Sequence, residues 1–118
     1  MFLLSLTHVL FFAPPLFYIA ATRSQTPLWA FKALLFAGMF ILAFHLYRMI
    51  GGGSYINLIH IFIVAPLLIT IGWKAQHTPR MLYELLIMVT FGMLGWHMLN
   101  MVRLLNLHSE IVDHMTEL

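Results

Sequence analysis

Four stretches of this chain are each long and apolar enough to cross a lipid bilayer, and nothing else in the sequence narrows the fold as much. They cover residues 2–21, 28–50, 55–73 and 81–105. A helix crosses the hydrocarbon core in about 20 mostly apolar residues. Composition agrees: only 8% of the 118 residues are charged, against about 25% in a typical soluble domain. Mean hydropathy is +0.92. So few charges cannot cover a water-facing surface. The expectation is an all-α, four-helix transmembrane bundle in one multi-pass integral membrane protein. The first run lacks a basic leader and resembles the third, so it reads as a retained span rather than a signal peptide.

The chain also repeats itself. Residues 6–50 laid over 58–102, an offset of 52, give twelve gapless identities. They include His8/His60, Pro14/Pro66, Pro27/Pro79 and His45/His97, residue types that are rare in membrane helices. Phe31/Tyr83 and Phe44/Trp96 match as aromatics. Each repeat is a two-helix hairpin, residues 1–50 and 55–105, joined by a linker of flexible composition, "GGGS" at 51–54. Residues 106–118 form a polar, amphipathic tail, with an interfacial helix as one reading. Two spans per unit insert both units the same way, so a pseudo-two-fold axis along the membrane normal is expected. Each hairpin tip ends in Thr-Pro, at 26–27 and 78–79, where threonine would cap the next helix and proline would take its first position.

Charge speaks to topology rather than to a partner. The formal net charge is +2, and the basic residues stand singly at the ends of apolar runs, which excludes a nucleic-acid patch. Arg23, Lys32, Lys74 and Arg80 lie near the hairpin tips. Arg48, Arg103 and the acidic tail lie at the other end. By the positive-inside rule the tips are cytoplasmic and both termini outside. The bilayer is the one certain partner, with a homo-oligomer or a larger membrane complex open. Absence of cysteine excludes disulfides and thiolate chemistry.

Four histidines carry the chemical interest. His8 and His60 lie near the starts of spans one and three, His45 and His97 near the ends of spans two and four. These positions face one side of the membrane. At about 1.5 Å per residue, all four imidazoles fall at one depth. Imidazole ligates haem iron, Zn and Cu. His45 and His97 are the expected axial ligands of a b-type haem, with His8 and His60 beside them. Gly38 and Thr90, on the same helix faces, would leave room for a macrocycle. Arg48 and Arg103 would meet its propionates. The same four histidines could instead hold one Zn or Cu ion, bind chlorophyll-type pigments, or line a proton or metal-ion path. The ordinary role of such a histidine or small residue is packing and local hydrogen bonding, and duplication reduces the four observations to two independent ones.

Other features have plainer readings. Lys32 and Glu84 occupy matching places and would pair between the repeats. Pro14, Pro15 and Pro66 would bend spans one and three. Trp29, Trp73 and Trp96 are interfacial anchors, and His77, His108 and His114 are solvated. No nucleophile–base grouping, carboxylate pair, phosphate loop or HExxH sequence is present, so any chemistry belongs to a bound cofactor rather than to an enzyme active site. Electron transfer is the expected function. Ion or metal transport and an accessory role in a larger complex are the alternatives.

Overall fold

The computed structural model describes residues 1–118 and is all-helical. Four helices are long and apolar enough to cross a membrane: α1 (Phe2–Gln25), α2 (Leu28–Ile50), α3 (Tyr55–His77) and α4 (Arg80–Glu117). Only 23 of 118 residues are buried, and large apolar side chains such as Phe11, Phe36, Phe62 and Phe91 point outward. That exterior suits lipid and not water. A core of Leu16, Ile19, Phe31, Leu34, Leu68, Ile71, Tyr83 and Leu86 fills the space between helices.

Proline shapes α1 and α3 in the same way. Five-residue π turns, His8–Phe12 and His60–Val64, lie just before Pro14 and Pro66. The Ala13 N–H reaches back to the His8 carbonyl and the Ala65 N–H to the His60 carbonyl. A helical proline removes one backbone donor. The wider turn re-pairs the ladder around that gap, and each histidine stands at its start.

The tips depart from the expected capping. Thr26 and Thr78 make no cap to the helix that follows, and Pro27 and Pro79 precede it in extended conformation. Both threonine hydroxyls turn back instead. Thr78 Oγ1 donates to the Ala75 carbonyl at 2.7 Å, and Thr26 Oγ1 donates to Thr22 Oγ1 at 2.6 Å, whose own proton goes to the Tyr18 carbonyl; the Ile71 and Ile19 carbonyls lie farther off, at 3.3 and 3.4 Å. The last carbonyls of a helix have no partner within it, and in an apolar environment that need outweighs the capping of a start already led by proline.

Closest packing does not follow the hairpins of the sequence. α1 packs chiefly on α4, and α2 packs on α3. The α2–α3 approach needs glycine on both sides. A Cβ on Gly38 would lie 2.9 Å from Ile69 Cγ1, and one on Gly72 would lie 2.5 Å from Leu35 N. The "GGGS" segment is a fitted turn rather than a loose tether. Gly52 has φ +87°, and Gly53 lies against the Asn57 side chain with the Arg48 carbonyl 2.8 Å from where its Cβ would be. The fourth helix does not stop at residue 105 but continues unbroken to Glu117.

Candidate functional site

Each of the four histidines has its Nδ1 committed to a partner. His8 Nδ1–H donates to the Leu4 carbonyl at 2.8 Å, and His60 Nδ1–H to the Ile56 carbonyl at 2.7 Å. A carbonyl can only accept, so the proton of these neutral rings is on Nδ1 and the lone pair on Nε2. His45 and His97 reach to another helix. His45 Nδ1 meets Asn57 Oδ1 at 2.7 Å, and His97 Nδ1 meets Ser5 Oγ at 3.2 Å. Asn57 and Ser5 stand three residues before His60 and His8, on α3 and α1.

Asn57 and Ser5 hold their histidines differently. Asn57 is fully buried, and its Oδ1 fixes the His45 proton on Nδ1. Its Nδ2 has no partner and lies against Gly53. Ser5 carries a hydroxyl that both donates and accepts, so His97 is free to hold its proton on either nitrogen.

The rings associate in two stacks. His8 lies on His97 with centroids 4.2 Å apart and planes 20° off parallel. His45 lies on His60 at 4.0 Å and 16°. Each stack joins the two helices that pack closest, α1 with α4 and α2 with α3. His45 and His97 are the inner rings, 9% and 8% exposed. His8 and His60 are partly exposed.

This arrangement sorts the candidate roles. Near-parallel rings about 4 Å apart aim their Nε2 lone pairs within separate planes, so a stacked pair does not grip one ion in the manner of two metal ligands about 2.0–2.1 Å from it. No three histidine or acidic side chains converge as a metal-binding group. A ligand shared by the two stacks would therefore take at most one ring from each.

Several expected neighbours take other places. Gly38 is closed over by Ile69 and Leu68, and Thr90 is fully buried with its hydroxyl on the Leu86 carbonyl at 2.6 Å. Helix packing uses that space, and neither residue opens a slot. The Lys32–Glu84 pair does not form: Glu84 Oε1 takes Arg80 Nε at 2.8 Å, one turn away on its own helix. A partner four residues off is already within reach, whereas Lys32 belongs to a different helix. Arg48 lies 5.9 Å over the Phe44 ring, Arg103 is exposed, and neither has a carboxylate partner. His108 and His114 are exposed on the last turns of α4.

Ser5 and Asn57 were the residues sequence reasoning passed over. Their signal was present: Ser-x-x-His and Asn-x-x-His at the same offset of 52. Non-identical residues at matching positions carry no weight in a count of identities. No known protein family, curated protein or solved structure matches the chain.

Proposed function

We propose that this is a multi-pass membrane protein whose two hairpins, related by a pseudo-two-fold axis along the membrane normal, hold a histidine-ligated haem for electron transfer. One observation carries the reading. All four Nδ1 atoms are engaged by oxygen partners, which leaves Nε2 as the open nitrogen on each ring. Histidines that bind metals through Nε2 nearly always have Nδ1–H held by such a partner. The stacks favour haem over a four-imidazole Zn or Cu site. One ring per stack supplies two donors, and a macrocycle supplies the rest. The donor type suits haem iron, whereas packing at Gly38 and Thr90 leaves no clearance at that level, so the ligand pair cannot rely on it for room.

His45 and His97 are the ligand residues, and the haem would contribute one-electron chemistry. Asn57 and Ser5 orient the rings. His8 and His60 cover their faces, and Arg48 and Arg103 are the unpaired cations available to propionates. The tips face the cytoplasm on this reading, because basic residues gather there. A second reading rests on the stacks themselves. Two imidazoles about 4 Å apart cannot both carry a charge cheaply, so each stack would hold one excess proton at a time beyond its two neutral rings, as a proton relay does.

Purified protein reconstituted with haem should show a reduced-minus-oxidised band of bis-imidazole type, lost in a His45→Ala/His97→Ala double variant. A spectrum without that band, together with proton flux in vesicles that the same double variant abolishes, would replace the first reading by the second.

A further inference from the structure

The two hairpins are packed unequally. In the second, α3 touches α4; in the first, α1 and α2 stand apart below the tip that joins them. The gap is an apolar groove of about 240 Å³ that opens sideways, with Pro15, Tyr18, Trp29 and Ala33 exposed along it. Ala30, Ala33 and Ala37 belong to its α2 wall. At the matching positions of the second hairpin stand Leu82, Leu85 and Val89, and of these Leu82 and Val89 pack on the core. Larger side chains thus occupy in the second hairpin the place that alanine leaves open in the first. An apolar wall with no atoms against it forfeits dispersion contact.

We propose that this groove holds one acyl chain of an anionic phospholipid, whose phosphate lies at the hairpin tip. Three observations select that occupant. The first is size. From Trp29 to Ala37 the groove runs about 12 Å, at about 1.5 Å per residue, which is most of one leaflet's share of a hydrocarbon core about 30 Å thick. Its volume over that length gives a cross-section of about 20 Å², wide enough for a carbon chain about 4 Å thick. A helix about 10–12 Å across does not fit, so a second copy of the chain cannot seat there. The second observation is the rim. The groove ends at the turn Arg23–Gln25 that joins its arms, and Tyr18 and Trp29 line that end, as amphipathic aromatics do at a headgroup boundary. The third is charge. The tip end carries Arg23, Lys32, Lys74 and Arg80 against one carboxylate, Glu84. Arg80 takes that carboxylate, which leaves Arg23 without a partner of opposite charge. A cation at the end of an apolar groove suits a phosphate ester with a hydrocarbon tail. The inference is independent of the histidine layer, which lies at the other end of the helices.

Trp29 in the groove wall serves as the probe. The full chain with Trp73→Phe and Trp96→Phe keeps Trp29 as its one tryptophan. A companion with Trp29→Phe and Trp96→Phe keeps Trp73, exposed near the tip of the second hairpin. Each is placed in phosphatidylcholine vesicles with a minor share of chain-brominated lipid, either phosphatidylglycerol or phosphatidylcholine. Brominated phosphatidylglycerol should quench Trp29 at about one-fifth the concentration that brominated phosphatidylcholine needs, the factor one basic residue near an anionic surface contributes. Trp73 should show no such preference. Arg23→Gln should abolish the preference at Trp29. Ala33→Leu, which places in the groove the leucine found at position 85, should abolish it and weaken quenching by both lipids. Equal quenching of Trp29 by the two lipids, or the same preference at Trp73, overturns the proposal. So does a preference that survives either substitution.

Discussion

Replacing Gly72 by alanine should force α2 and α3 apart. The added Cβ would stand 2.5 Å from Leu35 N, 2.7 Å from its Cα and 2.8 Å from its Cβ, where ordinary contact begins at 3.4 Å. Two of these atoms are backbone, so no rotamer change relieves the clash. The helix axes must separate locally by most of an ångström. Gly38 resists on the same interface, with its own Cβ position 3.0 Å from Ile69 N. Overpacking of a tight interior costs about 1–3 kcal/mol, and this site belongs at the upper end. Alanine recovers up to about 1 kcal/mol of helix propensity over glycine. The net expectation is a loss of about 1–2 kcal/mol, read as reversible unfolding in mixed micelles. The disturbance should also be selective. His45 and His60 ride on α2 and α3, and His8 and His97 on α1 and α4. Imidazole NMR signals of the first pair should shift while those of the second stay. Wild-type stability with all four signals unmoved would refute the close α2–α3 approach.

Two further predictions concern single positions. Asn57→Ala should cost about 1–2 kcal/mol, because His45 Nδ1–H is left buried without an acceptor, partly offset by losing an amide Nδ2 that has no partner. Nitrogen-15 spectra should then show His45 no longer held as the Nδ1–H form, whereas Ser5→Ala should change the His97 signal less, since that tautomer is not fixed. Gly92→Ala should raise stability by up to about 1 kcal/mol, as nothing lies within 4 Å of its Cβ position; a loss on unfolding measurements would contradict the exposed setting of Gly92.

Much of the architecture was readable in advance, and the reasons are physical. Span lengths follow from bilayer thickness, so the run at 28–50 matched α2 to the residue. Helix rise alone also implied that His8 lies level with His97 and His45 with His60, as each stacked pair requires. Gly38 differs from the expectation because a small residue reads identically whether a ligand or a neighbouring helix occupies the space it leaves, and here Ile69 does. Glu84 differs too: matching positions in two repeats suggest a pair with Lys32, while Arg80 four residues away already offers one. The tail's amphipathic pattern was visible, but whether α4 would bend onto the membrane or run on straight was not.

Periodicity and apolar length, both local properties of the chain, settled that this protein is four lipid-compatible helices with histidines on each. Which helices touch, α1 with α4 and α2 with α3, is a matter of shape at Gly38, Gly72 and their partners, and shape complementarity is not written in any one segment. The same holds for the stacks and for the Asn57 and Ser5 contacts. A hydrogen bond between residues 5 and 97 depends on two distant surfaces arriving together, so only the folded bundle could decide it.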